Sequence, residues 1–319
     1  MKVSVIIPVY KAEKDIARCC HALFGQTLDC IEYIFVDDCT SDGSVAVIEK
    51  TLEEYPQRKP FVRIFHQQKN SGVSACRQLG LDNATGDYII HCDSDDWADT
   101  DMYEQLYKTA LTEGAEVVYC DYRVEYGDHV ADVVFPDAYI KRPSFNINPI
   151  EGAVWNKLIS KALISRCGAR FYEGINLGED FGFVTLCRAI SKKNTVVHKP
   201  MYHYNQQNFN SITHNYSKEH FLQVVRLAER VDADFKVNGL AQDYVNELNY
   251  LKFQAKSFFL IYNSVLDIKL WRNTFPECSK HSMEYTYPIY AKMAGWLIAH
   301  DLAPLAWCLL KIKTLITKH

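Results

Sequence analysis

"GDYIIHCDSDDW", residues 86–97, decides how this chain is read. An apolar run, Tyr88 to Cys92, ends in three carboxylates within four positions: Asp93, Asp95 and Asp96. A short apolar run bounded by polar residues is the pattern of a strand buried on both faces. Like charges crowded at a strand end repel one another, so the stretch asks for a counter-charge. A D-x-D at that place can offer hard oxygens to Mg²⁺ or Mn²⁺, and few protein ligands suffice when a substrate diphosphate supplies the others. The plain alternative is an acidic loop leading into a helix, with Asp99 or Asp101 as its cap.

Outward from this stretch the same layout repeats. "VSVII" (3–7), "YIFVDD" (33–38), "VRIF" (62–65) and "EVVYC" (116–120) read as further strands. Between them, "EKDIARCCHALFG" sets Ile16, Cys19, Cys20, Leu23 and Phe24 at helical spacing, with Gly25 as a stop. Other helices begin at Ser44 and near Gly72, and one covers about 101–112. Strands separated by single helices imply βαβ crossovers, hence an α/β, Rossmann-like domain with a mainly parallel central sheet. In such sheets ligands bind beyond the carboxyl ends of the strands. "PVY" (8–10), "DDCTSD" (37–42) and "DSDD" (93–96) therefore share one rim. Residues 121–200 are less regular. "VEYGDHV" reads as a hairpin turn, "VWNKLIS" and "KALISRCG" as short helices, and "EGINLGEDFGFVTLCRAI" as a loop entering a helix. From about 216 the pattern is helical and aromatic, so the expected domains are 1–215 and a helical C-terminal region, 216–319.

Composition sets the outer bounds. The chain has 319 residues, 48% apolar and 23% charged, and a formal net charge of −4. This is an ordinary globular balance, and it speaks against a nucleic-acid partner held by bulk charge. Eleven cysteines show no C-x-x-C spacing, and Cys19, Cys76 and Cys120 sit inside apolar patterns. An odd count without a framework fits a reducing compartment. "MKVSVIIPVY" reads as a first strand rather than a signal peptide, so the expected location is the cytoplasm or the inner face of the membrane.

The other rim stretches each carry two readings. In "VDDCTSDGS" (36–44), Ser41 or Asp42 can simply cap a helix, which leaves Asp37 and Asp38 unexplained after a buried strand. A carboxylate there can accept a hydrogen bond from a base imide. "NSGVSACR" (70–77) enters a helix whose first N–H groups suit a phosphate, with Arg77 as a charged neighbour or merely a surface arginine. In "NLGEDFGF" (176–183), Glu179 and Asp180 are favoured at a helix start for dipole reasons alone, or one of them is a general base.

Together, "VSVIIPVYKAEKDI", "IEYIFVDDCTSDGS", "NSGVSACRQLGLDNATGDYIIHCDSDDW" and "GEDFGF" resemble the inverting family 2 glycosyltransferases of GT-A fold, in the family's own order, across residues 1 to about 213. The resemblance implies an enzyme of the hexosyltransferase class, acting in bacterial polysaccharide or glycan assembly. It would move a sugar from a nucleotide-sugar donor, a UDP-sugar by the aspartate pattern, to a glycan or lipid-linked acceptor. Mn²⁺ or Mg²⁺ would be the cofactor. It implies that Pro8, Val9 and Tyr10 floor the base, with Glu13 nearby, and that Asp38 accepts from uracil N3–H. Asn70, Gly72 and Arg77 would border the nucleotide and diphosphate. Asp93, with Ser94 beside it, would approach the ribose or the metal, and Asp95 would ligate the metal. His203, in "MYHYNQQNFNSITHN" (201–215), would reach the metal or diphosphate, or else be a buried structural histidine. Asp180 would be the catalytic base. Asp96, Trp97, Trp155 and Glu179 would lie toward sugar and acceptor. Two departures stand out: Cys39 replaces the usual glycine after the paired aspartates, and Lys11 replaces an asparagine after "VY". Both put the turn geometry in question. A sugar-phosphate nucleotidyltransferase lacks support, because "PVYKAEKD" is not the Gly- and Arg-rich loop it needs. A nucleotide-sugar scaffold without turnover is the remaining alternative.

The segment 293–319, "MAGWLIAHDLAPLAWCLLKIKTLITKH", is apolar but interrupted by His300, Asp301 and Pro304. No run reaches the roughly 20 residues that span a bilayer. With Lys311, Lys313 and Lys318 it suits a membrane interface, packing on the domain, or contact within a homo-oligomer.

Overall fold

The computed structural model describes residues 1–143, 145–147, 152–207, 217–262 and 265–316. The chain divides into two compact units, Met1–Pro143 with Asn148–Ser211, and Ser144–Ile147 with Ile212–His319. The boundary expected at 215/216, and the Ser-Ile-Thr stretch before it, lie outside the described residues.

The first unit is organised by strands β1 (Val3–Val9) and β2 (Ile31–Asp37). They run in parallel, with Val9 beside Asp37. Every residue of β2 is buried, as is every residue of β1 but Pro8. Valine and isoleucine suit such a doubly covered sheet, and each large side chain buried there contributes about 1.5–3 kcal/mol. β3 (Val62–His66) continues the sheet in parallel beyond β2, and β4 (Tyr88–His91) lies parallel to β1 with Ile6 opposite His91. The order β3-β2-β1-β4 then passes into β8 (Lys157–Ser160), β6 (Val117–Glu125), β9 (Asn194–Asn205) and β5 (Trp97–Ala98). β7 (Val130–Val133) pairs with β6 across the expected hairpin.

Helices α1 (Ile16–Phe24), α2 (Ser44–Leu52), α3 (Val73–Asn83) and α4 (Met102–Glu113) occupy the expected crossovers. α1 buries Ile16, Cys19, Cys20, Leu23 and Phe24, the face read from its spacing. α3 lies close on β1 because Gly80 has no side chain; a Cβ there would overlap Ile6. α5 (Asp137–Lys141), α6 (Lys161–Cys167) and α7 (Glu179–Ile190) follow. All eleven cysteines are free thiols, and Cys19, Cys76 and Cys120 are buried.

One local expectation is corrected. "VWNKLIS" contains β8 where a short helix was expected, antiparallel to both β4 and β6. Leu158 and Ile159 are buried on opposite faces, so pairing on two sides overrides a weak local pattern.

In the second unit, α8 (Lys218–Val237), α9 (Val245–Ile261), α10 (Ile268–Asn273), α11 (Ile289–Ala299) and α12 (Ala303–Ile316) confirm the helical reading. Phe221, Phe253, Phe259, Trp271, Ile298 and Leu310 share its core. Residues 145–147 join this unit: Phe145 meets Phe235 and Tyr244, and Gln254 donates to the Phe145 carbonyl at 2.7 Å. Lys256 is fully buried, yet Nζ donates to Ser279 Oγ at 2.6 Å and sits 3.8 Å above the Trp271 ring. Burial lowers its ammonium to about 8.

Candidate active site

The register of β1, β2 and β4 brings three loops to one rim of the first unit. Val9 is level with Asp37, and Cys92 N donates to the Ile6 carbonyl just before the carboxylates begin. Pro8, half-exposed, and Val9, buried, close β1, and exposed Tyr10 follows its end. The two family departures cost the turn nothing in shape. Lys11 adopts φ +51° and Cys39 φ +57°, so both accept left-handed backbone that asparagine or glycine would take with less strain. Polar contacts pin this region. Lys11 N donates to Thr40 Oγ1 at 2.8 Å, and Glu13 accepts from Gly43 N at 3.0 Å. Asp42 accepts from Ser44, Thr40 and Glu13 N; against some burial, these bonds hold its carboxyl below the ordinary value.

Asp38 is buried, and its carboxylate accepts from Ser71 N at 2.7 Å, Gly72 N at 2.9 Å and Gln67 Nε2 at 3.2 Å. It therefore anchors the "NSG" turn. With about four lone-pair sites on a carboxylate, one further donor can be accommodated. The expected phosphate seat at the start of α3 has protein partners instead. Asp38 takes the N–H groups of Ser71 and Gly72, just before the helix, and Asn176 Oδ1 accepts from Ser74 N, in its first turn, at 3.2 Å. Gly72, at φ +88°, is required here, because a Cβ would overlap the Asn176 side chain. Asn70 remains exposed beside this turn.

Arg77, expected at the diphosphate, is 4% exposed and joins the carboxylate motifs. Nη2 lies 2.8 Å from Asp93 Oδ1, and Nη1 donates to Glu179 Oε1. Asp180 follows at the start of α7, half-exposed, with Oδ1 accepting from Phe181 N at 3.0 Å. One guanidinium thus faces two carboxylates, Asp93 and Glu179, with Asp180 next to Glu179 in the chain. Burial first, then the Asp180 charge, push Glu179 up to about 8 even against Arg77. Burial also raises Asp180, opposed by Arg77 and reinforced by Asp93. A carboxyl shifted toward neutrality is a better proton acceptor than an ordinary one.

The "DSDD" turn is gripped from β9. Tyr202 OH accepts from Asp93 N at 3.1 Å and donates to Asp96 Oδ2 at 2.8 Å. Asn205 N donates to Asp96 Oδ1 at 2.8 Å, and Asn205 Nδ2 to the Asp95 carbonyl at 3.2 Å. Asp96 is thus 1% exposed with both oxygens engaged, as an internal anchor rather than a group on the open rim. Burial, then the charges of Asp95 and Asp93, raise it well above the ordinary carboxylate value. Asp93, Ser94 and Asp95 keep partial exposure. Among the described residues no three or more His, Cys, Asp or Glu form a metal-holding group. Two half-exposed carboxylates whose charge weighs on a third nevertheless suit a hard divalent cation completed by diphosphate oxygens, so the donor set fits Mn²⁺ or Mg²⁺.

The remaining expected residues have protein partners. His203 Nε2 lies 3.0 Å from Asp99 and Nδ1 2.7 Å from Glu125, so coordination of a metal would require one of these contacts to break. Its ring stacks on Trp97, and the Arg18 guanidinium covers the Trp97 ring at 3.9 Å. Trp155 is 6% exposed and stacked between Tyr202 and Tyr204, within the core rather than on an open wall. The sequence reading missed Arg18, which also donates to the Asp95 carbonyl at 3.0 Å, and Tyr202 and Asn205. For Tyr202 and Asn205 the alternation in "MYHYN" was the only signal.

Residues 4–153 match the family described as "Glycosyl transferase family 2". EpsH of Bacillus subtilis (strain 168) is 28% identical over 282 residues, covering 85% of this chain and 78% of EpsH. The chain spans 30% and 33% of two longer relatives. Among solved structures, residues 1–349 of S. aureus TarS in complex with UDP-GlcNAc superpose with TM-score 0.72 at 17% identity, over 99% of this chain and 92% of that one. The mannosyltransferase PcManGT of Pyrobaculum calidifontis, in complex with GDP-Man and Mn²⁺, gives 0.54 at 14% identity over 100% and 88%. These likenesses establish the GT-A-type fold.

Proposed function

This chain belongs to glycosyltransferase family 2, whose members use nucleotide-sugar donors, and on that premise we propose that it transfers a sugar from a UDP-sugar to a hydroxyl of a glycan or lipid-linked acceptor, with inversion at C1. The observation that carries this reading is the Arg77 bridge. It joins the "DSDD" and "GED" motifs, so that a donor-binding carboxylate and a proton acceptor stand in one cluster. UDP is favoured as the nucleotide by the UDP-GlcNAc bound to TarS, the higher-scoring of the two neighbours above.

In this reading Asp180 takes the acceptor proton as the acceptor oxygen attacks C1, and the bond from C1 to the diphosphate oxygen breaks on the opposite face. Burial raises the Asp180 carboxyl, opposed by Arg77, which makes it a stronger proton acceptor than an ordinary aspartate. Arg77 and Glu179 hold Asp180 and Asp93 in fixed relation, and such positioning supplies much of the acceleration in a single displacement. Asp38 keeps the loop of residues 70–72 folded under the nucleotide, with Pro8 and Tyr10 at its base. A divalent cation held by Asp95 and Asp93 would supply charge neutralisation at the departing diphosphate. His203 and Asp96 support the turn that carries those two carboxylates.

Nucleotide release from a panel of UDP-sugars and GDP-mannose, with and without Mn²⁺, tests the proposal. Turnover with one UDP-sugar is expected, reduced about 10²–10⁴-fold by Asp180→Asn with donor affinity retained. Full activity in that variant removes Asp180 as base. Donor binding without turnover for any acceptor supports a scaffold instead.

A further inference from the structure

We propose that the hairpin of α11 and α12 is an anchor for anionic lipid surfaces. This inference stands apart from the transfer reaction. Of the sixteen large apolar side chains exposed among the described residues, eight fall between Met283 and Ile312, too many in one short segment for scattered surface residues. On α11, Ile289, Met293 and Trp296 recur at i, i+4 and i+7 and face solvent, opposite buried Ala291, Ala294 and Ile298. On α12, Leu305, Trp307 and Ile312 are 49–55% exposed, while Ala306 and Leu310 pack inward. The inner faces meet in one core, so both outer faces are left without a protein partner among the described residues.

Charge decides which occupant suits this face. From 285 to 316 the chain has Lys292, Lys311 and Lys313 against the single acid Asp301, and Asp301 lies 3.4 Å from Arg272. Lys311 Nζ lies 5.4 Å from the centre of the Trp307 ring. Tryptophan with lysine at the rim of an apolar face matches the headgroup layer of a bilayer, where the ring sits at the interface and the ammonium meets phosphate. A second copy of the chain fits less well. A two-fold contact would set each lysine near its own copy with no acid to pair it, and lysine is depleted in protein interfaces. No helix among the described residues is long and apolar enough to cross a membrane, so the contact is with the surface.

Co-sedimentation of the full chain with vesicles of mixed phosphatidylcholine and phosphatidylglycerol, and with phosphatidylcholine alone, tests the proposal. Binding to the mixed vesicles is expected, with partitioning lowered about tenfold or more in K292Q/K311Q. W296S/W307S should lose about tenfold on both kinds of vesicle. Circular dichroism melting curves confirm that the variants fold. Quenching of tryptophan emission by brominated lipid in the unmodified chain provides a reading without mutation. Equal binding to both vesicles, or to neither, overturns the proposal. So does a dimer in sedimentation velocity that W296S/W307S dissociates.

Discussion

Replacing Arg77 with methionine keeps most of the side-chain length while removing the one cation between Asp93 and Glu179. At the 2.8 Å contact with Asp93, Coulomb's law with an effective dielectric of about 20 gives about 6 kcal/mol before desolvation is subtracted. Removing one member of a buried pair costs about 3–5 kcal/mol in practice, because the partner is left uncompensated. We expect Arg77→Met to destabilise the first unit by that amount near pH 8. Below about pH 6 the loss should shrink, since Glu179, raised to about 8, is then largely neutral and no longer needs the guanidinium. Urea unfolding of Arg77→Met, Glu179→Gln and the double variant, each at both pH values, measures this. In the Glu179→Gln background the Arg77 substitution should cost about 2 kcal/mol less, a coupling typical of residues in contact. Additive losses within about 0.5 kcal/mol, or an equal loss at both pH values, would refute the bridge as an electrostatic clamp.

Three further outcomes follow from the same geometry. Glu179 is raised from its ordinary value, so the folded state binds more protons than the unfolded state between about pH 4.5 and about 8; stability should fall as pH rises through that window, and Glu179→Gln should flatten the profile measured by denaturant midpoints. Gly72→Ala should cost about 2 kcal/mol or more, from left-handed backbone and overlap with Asn176, and should raise the donor KM in steady-state assays. Asp95→Ala should abolish the enhancement of UDP binding by Mn²⁺ in titration calorimetry, whereas Asp99→Asn, whose carboxylate lies 3.0 Å from His203 Nε2, should leave it intact.

The strands and helices of the first 120 residues were legible because fully apolar runs and helical spacing alternate without ambiguity there. β8 was not, since "VWNKLIS" becomes a strand only when β4 and β6 flank it. The site followed the same division. Acidic residues at strand ends announced Asp38, Asp93 and Asp95, because a carboxylate next to an apolar run has few local reasons to be there, whereas Asp180 starts a helix, where the dipole alone accounts for an acid. Tyr202 and Asn205 stayed hidden. Their contribution is a hydrogen bond to residues more than a hundred positions away, and no local pattern encodes that.

By itself the sequence determined the strands of the first 120 residues, the rim and the residue types offered there, since periodicity and strand-end chemistry are local properties of the chain. The tertiary structure decided which of those residues remain available to a ligand. Asp93 and Asp95 stay partly open, Asp96 and Trp155 are enclosed, His203 is held at both nitrogens, and Arg77 turns inward between two motifs. Burial and pairing depend on neighbours brought in by distant strands, and they set both the charge a carboxylate carries and the direction in which it can act.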